Sequence, residues 1–350
     1  MKIYDVIVIG GGQSGLAAGY YLRRTGLDYL ILDREENPGG AWQHTWRSLR
    51  LFSPAQWSSL PGTVMPGGAD YYPTRDETIT YLQAYEQKYR LKIRRPVAVM
   101  HVSQQENLFV LDTTDGMYYC KALVSATGTS GNPYVPDYPG IEYFKGSVMH
   151  SSQYRDPAAF TSQSVAIVGE GNSGAQILAE VSKVADTLWI TQKPPRFLAD
   201  HIDGRYLFDV ATQMYKARQE GRSFMPPSLG DIVMVPPVKE ARERGVLQSL
   251  PPFHAFTPHG LLWEDGHEAQ VDAVIFCTGF RPDVAHLTGL GIISQDNKIA
   301  TNDSRSKEVP GLWLLGYGNW TGFASATLIG VGRTARQTVE EIMASLHQKN

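Results

Sequence analysis

The chain of 350 residues is poor in cysteine, in net charge and in long apolar runs, and each shortage excludes a class of protein. Its two cysteines, Cys120 and Cys277, lie far apart and form no C-x-x-C pair. This excludes a redox dithiol of the thioredoxin-reductase type and argues against a structural disulfide. The formal net charge of −3 with scattered Lys and Arg indicates neither nucleic-acid nor anionic-membrane binding. No apolar run reaches the length of a membrane span.

The beginning of the chain and its histidines exclude two further features. The first apolar strand pattern begins at Ile3, so the sequence predicts neither a signal nor a transit peptide, and we expect a cytoplasmic location. The histidines lack ligand spacing with cysteines or acids, so we expect no metal. The length is sufficient for two or three domains with cores of their own.

What the chain does contain is one glycine-rich signature, twice. The apolar strands Val6–Ile9 and Val165–Val168 each run into a G-x-G-x-x-G turn and then into an Ala-rich helical pattern. In this context the turn and the helix N-terminus bind the pyrophosphate of a dinucleotide. The sequence therefore predicts two dinucleotide sites. Their turn residues are Gly10, Gly12, Gln13, Ser14 and Gly15 in the first copy, and Gly169, Gly171, Asn172, Ser173 and Gly174 in the second.

The residue that ends the second strand of each copy is expected to contact the adenosine ribose. In the first copy this is Asp33, twenty-three residues after the first glycine and followed by Arg34, which we also assign to this site. A carboxylate accepts hydrogen bonds from ribose hydroxyls, so the first site suits an adenosine with a free 2′-OH, as in FAD or NAD.

In the second copy the same count of twenty-three residues leads to Gln192, followed by Lys193 and Arg196. With no acid to repel a 2′-phosphate and two cations to attract it, the pattern predicts binding of NADPH, and of NADH through Gln192. The alternative is that Lys193 and Arg196 are only solvated loop charges.

Two similar strands support a pair of related domains. Ala122–Gly128 and Asp272–Gly279 both end in Thr-Gly, and each follows its glycine-rich turn by a little over a hundred residues. We assign Thr127 and Gly128 to the first site, and Thr278 and Gly279 to the second. The predicted fold is α/β with two Rossmann-like, glutathione-reductase-like domains, the second inserted into the first. The first domain comprises 1–155 and 280–350, and the second 156–279, with 200–257 as a partly helical cover.

Three segments carry a family resemblance. Gly39-Gly40-Ala41-Trp42 resembles the G-G-x-W flavin-contacting turn of flavin-containing monooxygenases. Phe144–Tyr154 fits F-x-G-x-x-x-H-x-x-x-Y, the fingerprint of these enzymes and of Baeyer–Villiger monooxygenases. Cys277–Pro282 adds to the match, which spans essentially the whole chain. The sequence resembles the small bacterial class B flavin-containing monooxygenases, which are related to Baeyer–Villiger enzymes and to flavin monooxygenases of arsenic-resistance operons.

The resemblance implies a division of labour between two cofactors. FAD is expected in the first site, with Gly40, Trp42 and Trp46 in its segment, and NADPH and/or NADH in the second. NAD(P)H would reduce FAD, and molecular oxygen would form a C4a-(hydro)peroxyflavin. This species would transfer one oxygen atom to a small organic sulfide, amine or ketone, while the protein supplies geometry and electrostatics. A homodimer is common in the group.

Four positions are singled out by the resemblance. Phe52 stands where larger relatives have an Asn near the flavin, and Phe offers no hydrogen-bonding group. We expect a shorter-lived intermediate and more peroxide leakage, unless Phe52 only fills core. His150 lies in the fingerprint, as a catalytic base or, more in line with the relatives, in domain coupling. Thr327 is expected to open the last helix and face the flavin, or to be a plain first-turn residue. Tyr317 replaces the Asp of disulfide-reductase-type flavoproteins.

Two other functions stay open. One is a flavin-dependent reductase or oxidase that makes peroxide or passes electrons to an acceptor. The other is a non-catalytic sensor that binds FAD and NAD(P) and is reduced very slowly. Oxygenated products would separate the monooxygenase from both.

Overall fold

The computed structural model describes residues 2–200, 210, 213, 217, 220–222, 231–322 and 324–347. The chain divides into two compact units. Unit 1 comprises Met1–Gln43, Pro54–Asn132 and Arg281–Asn350, and unit 2 comprises His44–Ser53 and Pro133–Phe280.

The described residues form β-strands, α-helices and short 3₁₀ turns. The strands, in chain order, are β1 (Ile3–Ile9), β2 (Tyr29–Leu32), β3 (Ile93–Arg94), β4 (Val99–Gln105), β5 (Leu108–Thr113), β6 (Gly116–Ser125), β7 (Ser147–His150), β8 (Ser164–Val168), β9 (Asp186–Ile190), β10 (Ser249–Leu250), β11 (Ala255–Thr257), β12 (Gly260–Leu262), β13 (Glu268–Gln270), β14 (Ala273–Phe276), β15 (Thr301–Asn302), β16 (Arg305–Ser306) and β17 (Leu312–Leu314). The α-helices are α1 (Gln13–Leu22), α2 (Arg75–Tyr89), α3 (Asn172–Val181), α4 (Pro236–Glu243) and α5 (Gly330–His347). The 3₁₀ turns lie at Gly40–His44, Ala55–Trp57, Ile141–Tyr143, Pro157–Phe160, Ala285–Leu290 and Asn319–Thr321.

Unit 1 is built on one mixed sheet. Its central strands run parallel in the order β17-β6-β1-β2-β3, while β4 and β5 form an antiparallel meander that continues from β6. Val6, Ile7 and Val8 of β1 are fully buried, as expected for a strand covered on both faces. A two-residue turn at Thr114-Asp115 joins β5 to β6.

Unit 2 repeats the architecture with fewer strands. Its five-stranded sheet is parallel throughout, in the order β10-β9-β8-β14-β7, and a small antiparallel sheet of β11, β12 and β13 accompanies it. The core of unit 2 contains Ile167 of β8, Ile177 and Leu178 of α3, and Ile275 of β14, all fully buried. Both units are thus α/β and Rossmann-like, with unit 2 placed between segments of unit 1 in the chain.

The boundaries of the units differ from the predicted domains at 44–53, 133–155 and 280, all of which group with unit 2. β7 lies within the predicted first domain, yet it pairs with β14 in the sheet of unit 2. His44–Ser53 also groups with unit 2, although it follows the G-G-x-W turn directly. Strand pairing and side-chain packing decide these memberships, and neither is visible in a linear pattern. Much of the predicted cover 200–257 lies outside the described residues.

The last glycine of each signature lets the helix approach the strand that precedes it. A Cβ added to Gly15 would stand 1.9 Å from the carbonyl oxygen of Gly10, and one added to Gly174 would stand 2.2 Å from that of Gly169. No side chain fits at either position, so the two helices pack on their strands with backbone against backbone.

Gly174→Ala will destabilise unit 2 by about 1–3 kcal/mol, because the added Cβ overlaps the Gly169 carbonyl and overpacking of a tight core costs energy of this order. Gly171→Ala is the matched control in the same turn, since no atom lies within 4 Å of its added Cβ. We expect the control to change stability by less than about 0.5 kcal/mol. Urea unfolding followed by circular dichroism measures both, and equal losses would show that the backbone contact is not decisive.

Candidate functional site

The first glycine-rich turn presents an uncapped helix N-terminus. Gly12 is the N-cap of α1 with extended backbone (φ −78°, ψ −170°), no described side chain caps the helix, and its first turn contains no acid. Backbone N–H groups at such a terminus attract phosphate through the aligned peptide dipoles. The turn therefore fits the diphosphate of FAD.

The G-G-x-W segment packs directly on this turn. Gly40 adopts a left-handed backbone (φ +51°), and a Cβ added there would stand 2.7 Å from the Cα of Gly12. The indole Nε1 of Trp42 donates to Gln13 Oε1 at 3.1 Å, and Gln13 Nε2 donates to the carbonyl of Ala326 at 2.6 Å. Gln13 thus links the flavin segment to the chain ahead of the last helix, and the structure brings these predicted residues together.

Asp33 is buried and forms an ion pair with Arg95, which also pairs with Glu86. Arg95 donates from Nε to Asp33 Oδ2 at 2.7 Å, and its two terminal nitrogens bind the carboxylate of Glu86 on α2 at 3.1 and 2.9 Å. Among the described residues, the second oxygen of Asp33 receives only a long contact from the Glu35 N–H, at 3.4 Å. An ionised carboxylate has acceptor capacity beyond these bonds, so Asp33 fits a ribose. The sequence interpretation did not anticipate Arg95.

A buried polar network lies at the carboxyl end of β6. The Tyr317 hydroxyl lies 2.5 Å from Ser125 Oγ and 2.6 Å from Thr127 Oγ1, and His286 Nε2 lies 3.0 Å from Ser125 Oγ. Thr127 in turn donates to the carbonyl of Asp283 at 2.6 Å. Thr127 and Tyr317 therefore position the strand end, and Tyr317 points into the core of unit 1.

The environment of this network shifts two of its pKa values. Burial raises the pKa of Tyr317 to about 12. Burial, with a smaller contribution from the positive charge of Arg34, lowers the pKa of His286 to about 4. Arg34 itself pairs with Asp283, Nη1 to Oδ2 at 3.0 Å. Arg34 thus stabilises the loop at Thr127-Gly128, which also belongs to unit 1.

The last helix begins later than predicted. α5 starts at Gly330, whereas the sequence placed its opening at Gly322–Thr327. The N–H of Gly330 donates to Thr327 Oγ1 at 3.0 Å, and the N–H of Val331 to the Thr327 carbonyl at 3.0 Å. Thr327 therefore caps the helix from outside, because a hydroxyl that accepts an N–H three residues later satisfies a free helical donor.

The second glycine-rich turn also presents an uncapped helix. Gly171 precedes α3 with extended backbone, no described side chain caps the helix, and an added Cβ at Gly171 would project into open space. These features fit the diphosphate of a nicotinamide dinucleotide. Asn172 holds a different segment, since its Oδ1 accepts the N–H of Val233 at 2.9 Å and its Nδ2 reaches the carbonyl of Asp231 at 3.5 Å.

The strand register corrects the predicted equivalence of Gln192 and Asp33. Ile9 pairs with Leu32 in unit 1, but Val168 pairs with Ile190 in unit 2, a separation shorter by one residue. Thr191, which is buried, is therefore level with Asp33, and Gln192 lies one residue beyond. Equal spacing in the sequence was misleading because the connection between helix and strand differs in length.

The structure also overturns the expectation that the second site contains no acid. Glu170, inside the glycine-rich turn, accepts a hydrogen bond at Oε2 from the N–H of Gln192 at 3.2 Å. The signal was present in the sequence as an acid within G-x-G, but only folding brings it to the end of β9. Lys193 and Arg196 are exposed on the loop that follows.

Both ring nitrogens of His150 are engaged. The N–H of Ser152 donates to Nδ1 at 3.1 Å, which leaves Nε2 as the protonated nitrogen and donor to the carbonyl of Gly279 at 2.9 Å. Burial lowers the pKa of His150, so the neutral ring is favoured. This geometry favours a positioning role, since the ring connects the end of β7 to the loop at Thr278-Gly279. Thr278 also serves that loop by donating to the carbonyl of Tyr134.

Trp46 and Phe52 lie in unit 2. Trp46 is buried in the unit 2 core near the Tyr154 ring, and its indole Nε1 has no hydrogen-bond partner in the described chain. Phe52 is half-buried and packs against the same cluster, as Leu49 does. Phe52 thus lies at the edge of the unit 2 core, and its assignment near the flavin stays a prediction.

The two thiols are inert. Cys120 and Cys277 are free and buried, each within its own unit. Burial raises the pKa of both thiols, for Cys277 to about 12, so neither forms a thiolate near neutral pH. In the described residues no three His, Cys, Asp or Glu side chains form a metal-binding group. None of the described helices is long and apolar enough to cross a bilayer.

Two Rossmann-like units, each with an uncapped glycine-rich turn, define an oxidoreductase that uses two dinucleotides. The family model of pyridine nucleotide-disulphide oxidoreductases matches residues 7–201. A flavin-containing monooxygenase from Stenotrophomonas maltophilia is 52% identical with a TM-score of 0.90, covering 98% of this chain and 99% of that chain, and a double mutant of it gives the same values.

Two curated relatives align over nearly the whole chain. The oxidoreductase CzcO-like of Geobacillus kaustophilus is 30% identical over 344 residues, which are 97% of this chain and 99% of that protein. The indole-3-pyruvate monooxygenase YUCCA4 of Oryza sativa subsp. japonica is 26% identical over 398 residues, covering 99% and 89%. The chain belongs to the pyridine nucleotide-disulphide oxidoreductase family and, within it, to the flavin-containing monooxygenases, whose cofactors are FAD and NAD(P)H.

Acidification will destabilise unit 1 through His286. Folding lowers the pKa of this imidazole from 6.5 to about 4. As the pH falls through 6.5, the His286 imidazole becomes protonated in the unfolded chain but stays neutral in the folded chain. The free energy of unfolding therefore falls until about pH 4. The full loss is about 3 kcal/mol. We expect His286→Gln to lose less stability than the wild type between pH 7.5 and about pH 5 in urea unfolding.

The control for this experiment is His259→Gln, because His259 is exposed. The control should keep the pH dependence of the wild type. Equal losses in wild type and His286→Gln would contradict the assignment to His286.

Proposed function

We propose that the chain is an NAD(P)H-dependent flavin monooxygenase that transfers one oxygen atom from O₂ to a small organic sulfide, amine or ketone. Unit 1 holds FAD and unit 2 holds the nicotinamide cofactor. The overall reaction with a sulfide consumes NAD(P)H, H⁺, O₂ and R₂S and yields NAD(P)⁺, H₂O and R₂SO. One oxygen atom enters the product and the other leaves as water.

The observation that carries the proposal is the presence of two dinucleotide turns in a chain without an available thiol. Two such turns supply a hydride donor and a flavin acceptor on one polypeptide. Cys120 and Cys277 are both buried, so the electrons have no protein dithiol to reduce. Molecular oxygen is then the acceptor that the family resemblance offers.

The residues of each unit bind and orient, while the cofactors contribute the reactive atoms. When bound, the nicotinamide donates a hydride and the flavin passes the electrons on to oxygen. The N-terminus of α1 would hold the FAD diphosphate, and Asp33 its ribose. The Trp42–Gln13–Ala326 hydrogen bonds keep the G-G-x-W segment against the turn. The N-terminus of α3 would hold the second diphosphate.

A flavin oxidase that releases peroxide is the second candidate. It is favoured by Phe52, which has no hydrogen-bonding group and packs on apolar side chains. Such a side chain would offer no hydrogen bond to a reacting oxygen atom. The two candidates share the reductive half of the reaction and differ in the fate of oxygen.

Product analysis under labelled oxygen distinguishes the candidates. The FAD-loaded protein would be supplied with NADPH or NADH, methyl phenyl sulfide and ¹⁸O₂, and both sulfoxide and peroxide would be measured. A monooxygenase yields sulfoxide that contains one ¹⁸O atom. Consumption of NAD(P)H with an equivalent amount of peroxide and no sulfoxide would refute the proposal and support the oxidase. A cyclic ketone in place of the sulfide tests for lactone formation.

Phe52→Asn is expected to raise the ratio of sulfoxide to peroxide by about threefold to tenfold. A single hydrogen bond of about 1 kcal/mol from the new amide to the reacting oxygen would change a rate by about this factor. The ratio would be read from the same reaction at equal NAD(P)H consumption.

Leu49→Asn is the matched control, since Leu49 packs against the same cluster and undergoes the same type of change. Both variants should lose some stability, but only Phe52→Asn should alter the ratio. If the two variants give the ratio of the wild type, Phe52 is core filling alone.

A further inference from the structure

The two glycine-rich turns place their carboxylates differently. In unit 1 the acid is at the strand end, at Asp33, and the middle residue of the turn is Gly11. In unit 2 the residue level with Asp33 is Thr191, and the middle residue of the turn is Glu170. The acid has exchanged places between the strand end and the turn.

Steric exclusion explains why each unit has an acid at only one of two positions, the middle of the glycine-rich turn or the strand end. A Cβ added to Gly11 would stand 2.3 Å from Asp33 Oδ2 and 2.6 Å from its Cγ, so the Asp33 side chain lies over that glycine. A side chain in the turn and an acid at the strand end therefore exclude each other. Thr191 is shorter than an acid, and Glu170 reaches from the turn to the strand end, where its Oε2 accepts the N–H of Gln192.

We propose that Glu170 contacts the adenosine ribose in the second site and is the residue that disfavours a 2′-phosphate there. This inference rests on the proposed binding of NAD(P)H to unit 2. The hydrogen bond to the Gln192 N–H fixes one carboxylate oxygen at the strand end, and the carboxylate retains acceptor capacity for ribose hydroxyls. A negative charge at this place repels the 2′-phosphate of NADPH.

Lys193 and Arg196 act in the opposite direction. Both are exposed cations on the loop that follows β9, and both are close in sequence to the same strand end. They attract a phosphate, although solvent and salt screen exposed charges. The site therefore accepts both NADH and NADPH, and Glu170 determines how far the balance lies toward NADH.

Adenosine fragments test the inference without any turnover. Isothermal titration of the FAD-loaded protein with 5′-AMP and with 2′,5′-ADP gives two dissociation constants, whose ratio measures discrimination against the 2′-phosphate. Glu170→Gln removes the charge and keeps an oxygen that can accept the Gln192 N–H. We expect the variant to bind 2′,5′-ADP about fivefold to tenfold more tightly relative to 5′-AMP, the effect of removing one like charge in a partly exposed site.

Two further variants sharpen the comparison. Glu264→Gln makes the same change of net charge at an exposed turn of unit 2 and should leave the ratio unchanged. Lys193→Ala should weaken 2′,5′-ADP more than 5′-AMP.

The outcomes separate this inference from the proposed function. An unchanged ratio in Glu170→Gln, or an equal change in Glu264→Gln, overturns the role of Glu170. Failure of both fragments to bind the wild type overturns this inference together with NAD(P)H binding in unit 2. A changed ratio in a protein that makes no oxygenated product would support Glu170 and refute the monooxygenase proposal.

Discussion

Each unit depends on a glycine that lets its first helix pack closely against the preceding strand and turn. At Gly15 and Gly174 the helix backbone lies so close to the preceding turn that an added Cβ would overlap a carbonyl oxygen. This approach places the first helical turn at the end of a buried parallel strand, where its N–H groups stay uncapped by described side chains. The anion-binding property of both turns therefore follows from packing, before any charged side chain is considered.

Around this frame, buried polar groups hold several residues of the predicted first site. Arg95 holds Asp33 from behind, and Tyr317 and His286 hold the end of β6 through Ser125. Burying such groups is costly unless each has a partner, and these have partners. The partners hold the side chains in one conformation, which preorganises the first site. In unit 2 His150 does the same for the Thr-Gly loop with both of its ring nitrogens.

The repeated signature in the sequence was sufficient to predict the α/β fold and two dinucleotide sites, and the family resemblance assigned FAD and NAD(P)H to them. Its elements are local: an apolar strand, a turn that only glycine allows, and a helix that follows at once. The second strand of the first copy, predicted to end at Asp33, is β2 (Tyr29–Leu32) for this reason. Gly40 and Trp42 were likewise found from a short motif, and the structure places them against the first turn. The strand, turn and helix of the signature can be predicted because their interactions form within a few residues, whereas the contacts of Gly40 and Trp42 with the first turn are long-range and were predicted only through the family motif.

Other features could be decided only by the tertiary structure, because they depend on partners distant in the chain. Strand register made Thr191 the residue level with Asp33, although counting had indicated Gln192. Folding brought Glu170 to the strand end, and pairing moved β7 into the sheet of unit 2. The sequence determined which chemical groups are available and where the backbone can turn. The tertiary structure decided which of those groups meet, because loop lengths and strand pairing set distances that spacing along the chain does not contain.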